Sequence, residues 1–396
     1  MNPQSAYAER TEKLYEVDGL LFEFDATVIA AEFCGELFRI ELDRTAFFPE
    51  GGGQDSDVGS LTDAAVSFVE ICEGRIWHLS DKAFTAGDRV HGQVNSALRL
   101  RRMQNHGAEH IISGLIFSLY GISNAGFHMS QNEFTIDTAA PLDAEMLKRV
   151  ELLANGIIRE NRKISCYYPD EEALAALEYR SKTELSGKVR IVEIEGCDRC
   201  ACCAPHLEST GQIGLVHIKN FIKYKKGVRL TVAAGEDALD DYLLLAAQAS
   251  EIGRLYSVQP SEIHEAVLKR EKAFSEKLGE LRDLRERLLS IRIEGLEKTE
   301  GNICIFEEGC DSGLLRKLVN QGVELAGGVF AAFSGNERGG FNYVIGAKSG
   351  SLSALASEMR ASLGGKGGGS GQMITGFVDA SKEDIENFFK LFKLRG

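Results

Sequence analysis

Positive charge is in short supply: 45 Lys and Arg stand against 59 Asp and Glu, a formal net charge of -14 over 396 residues. Sequence-independent nucleic-acid binding rests on phosphate neutralisation by Lys and Arg. The balance therefore excludes a general nucleic-acid coat and leaves room only for local basic patches. No run of about 18 apolar residues occurs, so no membrane-spanning helix is expected. The first residues, "MNPQSAYAERTEKLYEVDG", lack the apolar core of a secretory signal. Internal repeats are absent as well. Nine cysteines, an odd number, in a chain without such a signal point to a reducing cytoplasm in which thiols are kept for metal or chemistry. What remains, 44% hydrophobic and 26% charged residues, is the composition of a globular protein with two or three domains.

An α+β organisation in four parts is expected. Residues 1–95 hold short alternating apolar runs such as "LFRIELDRTAFF" and "AVSFVEI", which read as strands of a small β-barrel. Residues 96–235 mix an amphipathic helix, "ALRLRRMQNHGAEHIISGLIFSLYG", ended by Gly121, with strands "VRIVEIEG" and "GVRLTVAAG". Residues 236–293 read as a helical arm, with an apolar ladder of Phe274, Leu278, Leu281, Leu284, Leu288 and Ile291 at steps of three and four. Residues 294–396 alternate strand and helix patterns and form a compact α/β unit.

Two stretches carry chemistry. "TAFFPEGGGQDSDVG" sets Gly51, Gly52 and Gly53 between a Pro-fixed entry and the amide of Gln54, a loop suited to close approach of a ligand to the main chain. Asp55 and Asp57 read as turn formers. His106 and His110, four apart on one helix, project from one face. "CDRCACCAPHLESTGQIG" supplies Cys202 and His206, again four apart, on a strand-to-turn loop fixed by Pro205. Soft thiolate and imidazole together select zinc, so His106, His110, Cys202 and His206 are the expected ligands. "HGAEH" also fits an inverted-zincin peptidase with Glu109 as base, but no third carboxylate ligand is evident downstream. Cys197, Cys200 and Cys203 read as neighbours of the site or as packing, and Cys34, Cys72 and Cys166 as buried small hydrophobes.

These motifs, in this order, resemble the editing domain of alanyl-tRNA synthetase and its freestanding relatives, the alanyl-tRNA editing proteins. The likeness covers about residues 20–235. "GGKGGGSGQMITG", Gly364 to Gly376, resembles the synthetase's C-terminal domain, so the whole is similar to the long form of the editors. The chain departs from the pattern where the synthetases usually read Cys-Gly-Gly-Thr-His, and in the tail at Ser370 and Gln372.

The resemblance implies a zinc-dependent deacylase of tRNA(Ala) mischarged with serine, and in part with glycine, that does no charging of its own. An alanine pocket admits glycine and rejects serine poorly, so a second sieve is needed. It further implies Gln54, Thr45 and Cys202 as catalytic residues, Thr45 sensing the serine hydroxyl. Gly51, Gly52, Gly53, Arg102 and Lys366 would bind substrate. His206 either closes the zinc site or leaves the metal an open position, and zinc either activates water or holds the substrate amine. Arg99, Arg101 and Arg102, with Lys219, Lys223, Lys225, Lys226 and Arg229, are expected as an RNA track flanking the site. Lys366 lies on either a flexible linker or a phosphate-approaching loop. The arm suits a homodimer contact. A noncatalytic zinc-stabilised tRNA-binding module is the alternative class.

Overall fold

The computed structural model describes residues 11–130, 132–181, 188–336, 338–369 and 371–393. Ser370 therefore lies outside the described residues. The chain divides into two compact units, Met1–Glu251 and Ile252–Gly396. Mixed helices and sheets make it α+β.

In the first unit six strands hydrogen-bond in a closed ring, in the order Glu23–Cys34, Leu37–Leu42, Arg75–Ser80, Ala64–Cys72, Gly59–Leu61 and Arg89–Val94. Side chains alternate across each strand, so every second residue of "RVHGQV" is buried. The ring is filled by Val28, Ile40, Leu42, Phe47, Leu61 and Val69. From its last strand the chain enters the helix Ser96–Tyr120 through Asn95, whose side chain accepts from the Leu98 N–H. Gly121 ends that helix in the left-handed region at φ 67°, as the sequence predicts.

The same helix is buried along most of its length by a four-stranded antiparallel sheet, ordered Val216–Tyr224, Gly227–Ala234, Phe134–Thr138, Asn124–Met129, together with the helix Ala144–Glu160. A three-stranded sheet, Ile164–Tyr167, Ile191–Ile194, Asp198–Ala201, delivers the second ligand loop. At the far end of this unit the helix Glu236–Tyr256 begins by placing Asp237 under Arg101 and Asn105.

The second unit holds the 32-residue helix Ile263–Glu294 and a five-stranded sheet with helices Ser312–Gly322, Ser353–Leu363 and Lys382–Leu391. Only the end of the long helix is buried, through Leu289 and Ile293 against Leu314, Leu315 and Leu318. The apolar ladder from Phe274 to Ile291 stays 51–68% exposed.

Lys366 occupies neither a linker nor a loop. Lys366–Gly368 is an edge strand paired with Met373–Val378, and the Lys366 side chain is exposed. The glycines here serve close packing, since a Cβ on Gly367 would stand 2.2 Å from the Tyr343 hydroxyl. The cysteine expectation also needs correction: Cys34 and Cys166 are exposed and Cys72 is half-buried, because they sit on outward faces of their strands. None of the nine cysteines is in a disulfide.

Candidate metal centre

Helical spacing brings the His106 and His110 rings into a stack, centroids 5.3 Å apart. The loop after Asp198–Ala201 sets the His206 ring 4.9 Å from each of them. Cys202 Sγ lies 3.5 Å from His106 Nε2 and 3.3 Å from His206 Nε2. One donor atom from each of the four residues falls within 4.8 Å of all the others. Tetrahedral zinc, with bonds of about 2.0 Å to nitrogen and 2.3 Å to sulfur, sets its ligands roughly 3.3–3.8 Å apart. The donor set and its spacing thus fit a four-coordinate ion.

Each helical histidine is oriented by its other nitrogen. His106 Nδ1 lies 2.8 Å from Gln54 Oε1, and His110 Nδ1 lies 2.9 Å from Asp198 Oδ2. An amide oxygen and an ionised carboxylate can only accept, so both Nδ1 atoms carry the proton and both Nε2 atoms are left for a metal. Asp198 is clamped in turn by Arg180, Nε to Oδ1 at 2.6 Å and Nη2 to Oδ2 at 2.7 Å. Burial alone would raise the Asp198 carboxyl, but the hydrogen bonds from Arg180 and His110 outweigh it and hold the group down to about 2. Burial pushes the Cys202 thiol well up, and burial with repulsion from the other two rings drives His206 well down. A metal entering the cluster must therefore displace the Cys202 proton.

The ligand loop is stapled by Arg190, which donates to the carbonyls of Ala204 at 2.8 Å and Glu16 at 3.0 Å. Phe48, from the glycine stretch, joins Tyr15 and Ala204 in a small cluster against Cys202. Gln54 folds inward because the turn before it is tight: Gly51 and Gln54 bond to one another through both backbone groups. Gly53 has φ 89°, and a Cβ there would meet the Phe127 carbonyl oxygen at 2.6 Å. The Phe127 ring in turn lies 5.2 Å from that of His106. Gln54 is 1% exposed, and its Nε2 is buried with no hydrogen-bond partner among the described residues.

Other expected residues lie elsewhere or have tasks within the fold. Thr45 is fully buried. His78 Nδ1 sits 3.0 Å from the Ile40 carbonyl, so it carries the ring proton. Burial drives His78 down to about 4 and keeps the ring neutral. The Thr45 hydroxyl therefore donates to His78 Nε2, at 2.8 Å, and accepts from the Phe47 N–H.

Arg99 is wholly buried and ion-paired with Asp57, and Arg101 pairs with Asp237 and Asp240. Neither is available to a phosphate, and Asp57 is no mere turn former. Lys219 and Arg229 likewise face Glu133 with Asp241, and Asp137. Arg102 donates to the Ser56 carbonyl beside Asp55 and Asp57. Glu109 accepts from Ser113 and Asn124.

Cys197 packs against the core of the helix, its thiol pushed up to about 12 by burial and the nearby Asp198, while Cys203 is exposed. Cys200 lies near His110 and Asp198. Asp198, Arg180, Arg190 and His78 escaped the sequence reading because each acts across 12 or more residues with no local spacing to mark it.

Residues 189–230, the strand and loop that bear Cys202 and His206, match the family model described as the threonyl and alanyl tRNA synthetase second additional domain. An alanine–tRNA ligase of Ignicoccus hospitalis is 30% identical over 74% of this chain and 33% of its own length. The chain thus spans about a third of that relative. An alanyl-tRNA editing protein, AlaX-L, of Pyrococcus horikoshii is 27% identical over 94% of this chain and 96% of its own. Among solved structures, the C-Ala domain of Aquifex aeolicus alanyl-tRNA synthetase is 21% identical, covering 24% of this chain and 96% of that one, at a TM-score of 0.20. Correspondence along nearly the full length of an editing protein, joined to the matches with the ligases and their additional domain, relates this chain to the alanyl-tRNA editing proteins and to alanyl-tRNA synthetase.

Proposed function

We propose that the chain is a zinc-dependent deacylase that removes serine, and glycine to a lesser degree, from mischarged tRNA(Ala) in the cytoplasm, and that it does not charge tRNA. The observation that carries this reading is the convergence of His106, His110, Cys202 and His206 beside an inward-folded Gln54. Those four residues would hold zinc, which when bound supplies a Lewis acid next to the ester. Gln54 Oε1 keeps His106 in the ligating tautomer, and its buried Nε2 is a donor for oxyanion charge developing on the ester carbonyl. Gly51, Gly52 and Gly53 leave the main chain open to the terminal adenosine. In the hydrolysis, water adds to the carbonyl carbon, the bond to the ribose oxygen breaks, and that oxygen takes a proton. Thr45 is fully buried, with its proton given to His78, so its contribution is to hold the fold beside the glycine loop.

A peptidase reading is weaker, because Glu109 spends its carboxylate on Ser113 and Asn124. The test is release of serine from mischarged tRNA(Ala) by zinc-loaded protein, with correctly charged alanine released far more slowly. Zinc-loaded protein that binds the tRNA and releases nothing would instead be a noncatalytic binding module.

A further inference from the structure

Most basic side chains of the first unit that flank the centre are spent inside the fold: Arg99, Arg101, Lys219 and Arg229 each face a carboxylate. Lys223, Lys225 and Lys226 are the contrast. All three are exposed, and among the described residues none has a carboxylate within ion-pair distance. They sit together at the tip of the hairpin formed by Val216–Tyr224 and Gly227–Ala234, on the edge strand of its sheet. Phe221 and Ile222 beside them are 39% and 59% exposed.

The turn itself is unusual for its sequence. Tyr224 pairs with Gly227, so Lys225 and Lys226 make the whole two-residue loop, and Lys225 adopts φ 50°. Such turns favour Asn or Gly at positive φ, because a side chain there costs about 1–2 kcal/mol. A lysine kept at a strained position in a chain of net charge -14 points to a use for its charge.

Register ties this tip to the centre. Phe127, against the His106 ring, stands opposite Ile136, which stands opposite Leu230, which stands opposite Phe221. One row of the sheet thus runs from the candidate metal centre to Phe221 on the edge strand, three strand spacings or about 14 Å away, and Lys223 and Lys225 follow two and four residues further along the chain.

We propose that the hairpin tip is an RNA-backbone contact: Lys223, Lys225 and Lys226 neutralise phosphates of the strand whose 3′ end enters the centre, with Phe221 offering an apolar surface beside them. This rests on the deacylase reading for the identity of the RNA. Its location is independent of that reading, being fixed by charge, exposure and register.

The experiment uses full-length protein and an unacylated tRNA(Ala) transcript, with affinity measured across a salt series. A Lys223→Ala, Lys225→Ala, Lys226→Ala triple variant should bind about 10–100-fold more weakly at low salt. Its slope of log affinity against log salt should be shallower by about two to three, roughly one per lost phosphate contact. The triple Lys→Arg variant should keep the slope, and the melting temperatures of both should match wild type within a few degrees. Wild-type affinity and slope in the alanine variant overturn the hairpin contact, even where serine release is intact. Loss of serine release by the wild type with the slope change still present would instead sink the deacylase reading alone.

Discussion

Gln54 and His106 are joined across 52 residues by a 2.8 Å hydrogen bond, and this single contact makes the glycine loop part of the candidate metal centre. The neutral amide oxygen orients one helical ligand, while the carboxylate of Asp198, locked by Arg180, orients the other. The two histidines are adjacent on the helix but unequal in their support. A charged partner supports His110, and the loop makes His106 the one sensitive to what happens at Gly51–Gln54.

That inequality predicts the metal's response to substitution. Cys202→Ala removes the only thiolate of the set, and elemental analysis should find less than one zinc per chain and no serine release. Asp198→Asn should weaken zinc by about 10–100-fold in a chelator competition while leaving the fold intact, because an amide still accepts from His110 but carries no charge. Since burial holds the Cys202 proton in the metal-free protein, zinc affinity should fall by up to about tenfold per unit drop in pH near neutrality. Cys202→Ala at wild-type metal content would dismiss the assignment.

His78 sets a pH limit on stability. Its folded value of about 4 lies below the ordinary 6.5, so the unfolded chain binds the extra proton first. Stability should therefore be full above about pH 6.5 and fall as pH drops towards 4, by up to roughly 3 kcal/mol from this group. Denaturant titrations between pH 4 and 7 on wild type and His78→Gln would show it; an equal pH slope in both removes His78 as the cause.

Thr45 offers a separation of roles. Thr45→Val leaves His78 Nε2 and the Phe47 N–H without a partner in a site closed to water, at a cost of about 1–3 kcal/mol. The expected result is a lower melting temperature with a nearly unchanged ratio of serine to alanine release. A stable variant whose ratio narrows about tenfold, or 1.4 kcal/mol, would return Thr45 to substrate selection.

The convergence of the four donor residues was legible in the sequence because helical and turn spacing are local properties: His106 with His110, and Cys202 with His206, are each four apart. The helix to Gly121 was legible for the same reason. What orients those ligands was not, because Asp198 reaches His110 over 88 residues and Arg190 reaches Glu16 over 174. Basic runs misled most. Spacing alone cannot tell Arg99, buried on Asp57, from Lys226, which is exposed at a turn. The segment around Lys366 shows the same limit, since a glycine run that lets strands and Tyr343 pack closely reads like a linker or a loop.

The boundary of the first unit yields a further test. A fragment ending at Gly235 stops two residues short of Asp237, which is buried and accepts from Arg101 and from Asn105, the neighbour of His106. Cutting there strands the Asn105 amide, at about 1–3 kcal/mol. A fragment ending at Glu251 should melt higher and retain more zinc than the shorter one, and it should still release serine with a raised KM. Equal melting and metal content would show that Asp237 contributes little.

Lys225 should trade stability against binding. At φ 50° its side chain costs about 1–2 kcal/mol, and glycine relieves this while adding about 0.5–1 kcal/mol of chain entropy to the unfolded state. Lys225→Gly should thus gain roughly 0.5–1 kcal/mol, a rise of about 2 °C in the melting temperature of a unit this size. Its RNA affinity should fall and its salt slope should be shallower by about one. Lys225→Asn, which tolerates the same conformation without charge, should behave alike, whereas Lys225→Ala should lose affinity without gaining stability. The opposed signs are the diagnostic, because a turn lysine kept only for solvation would let stability rise with no loss of RNA binding. A melting temperature that falls in Lys225→Gly would show that the turn holds no strain to relieve.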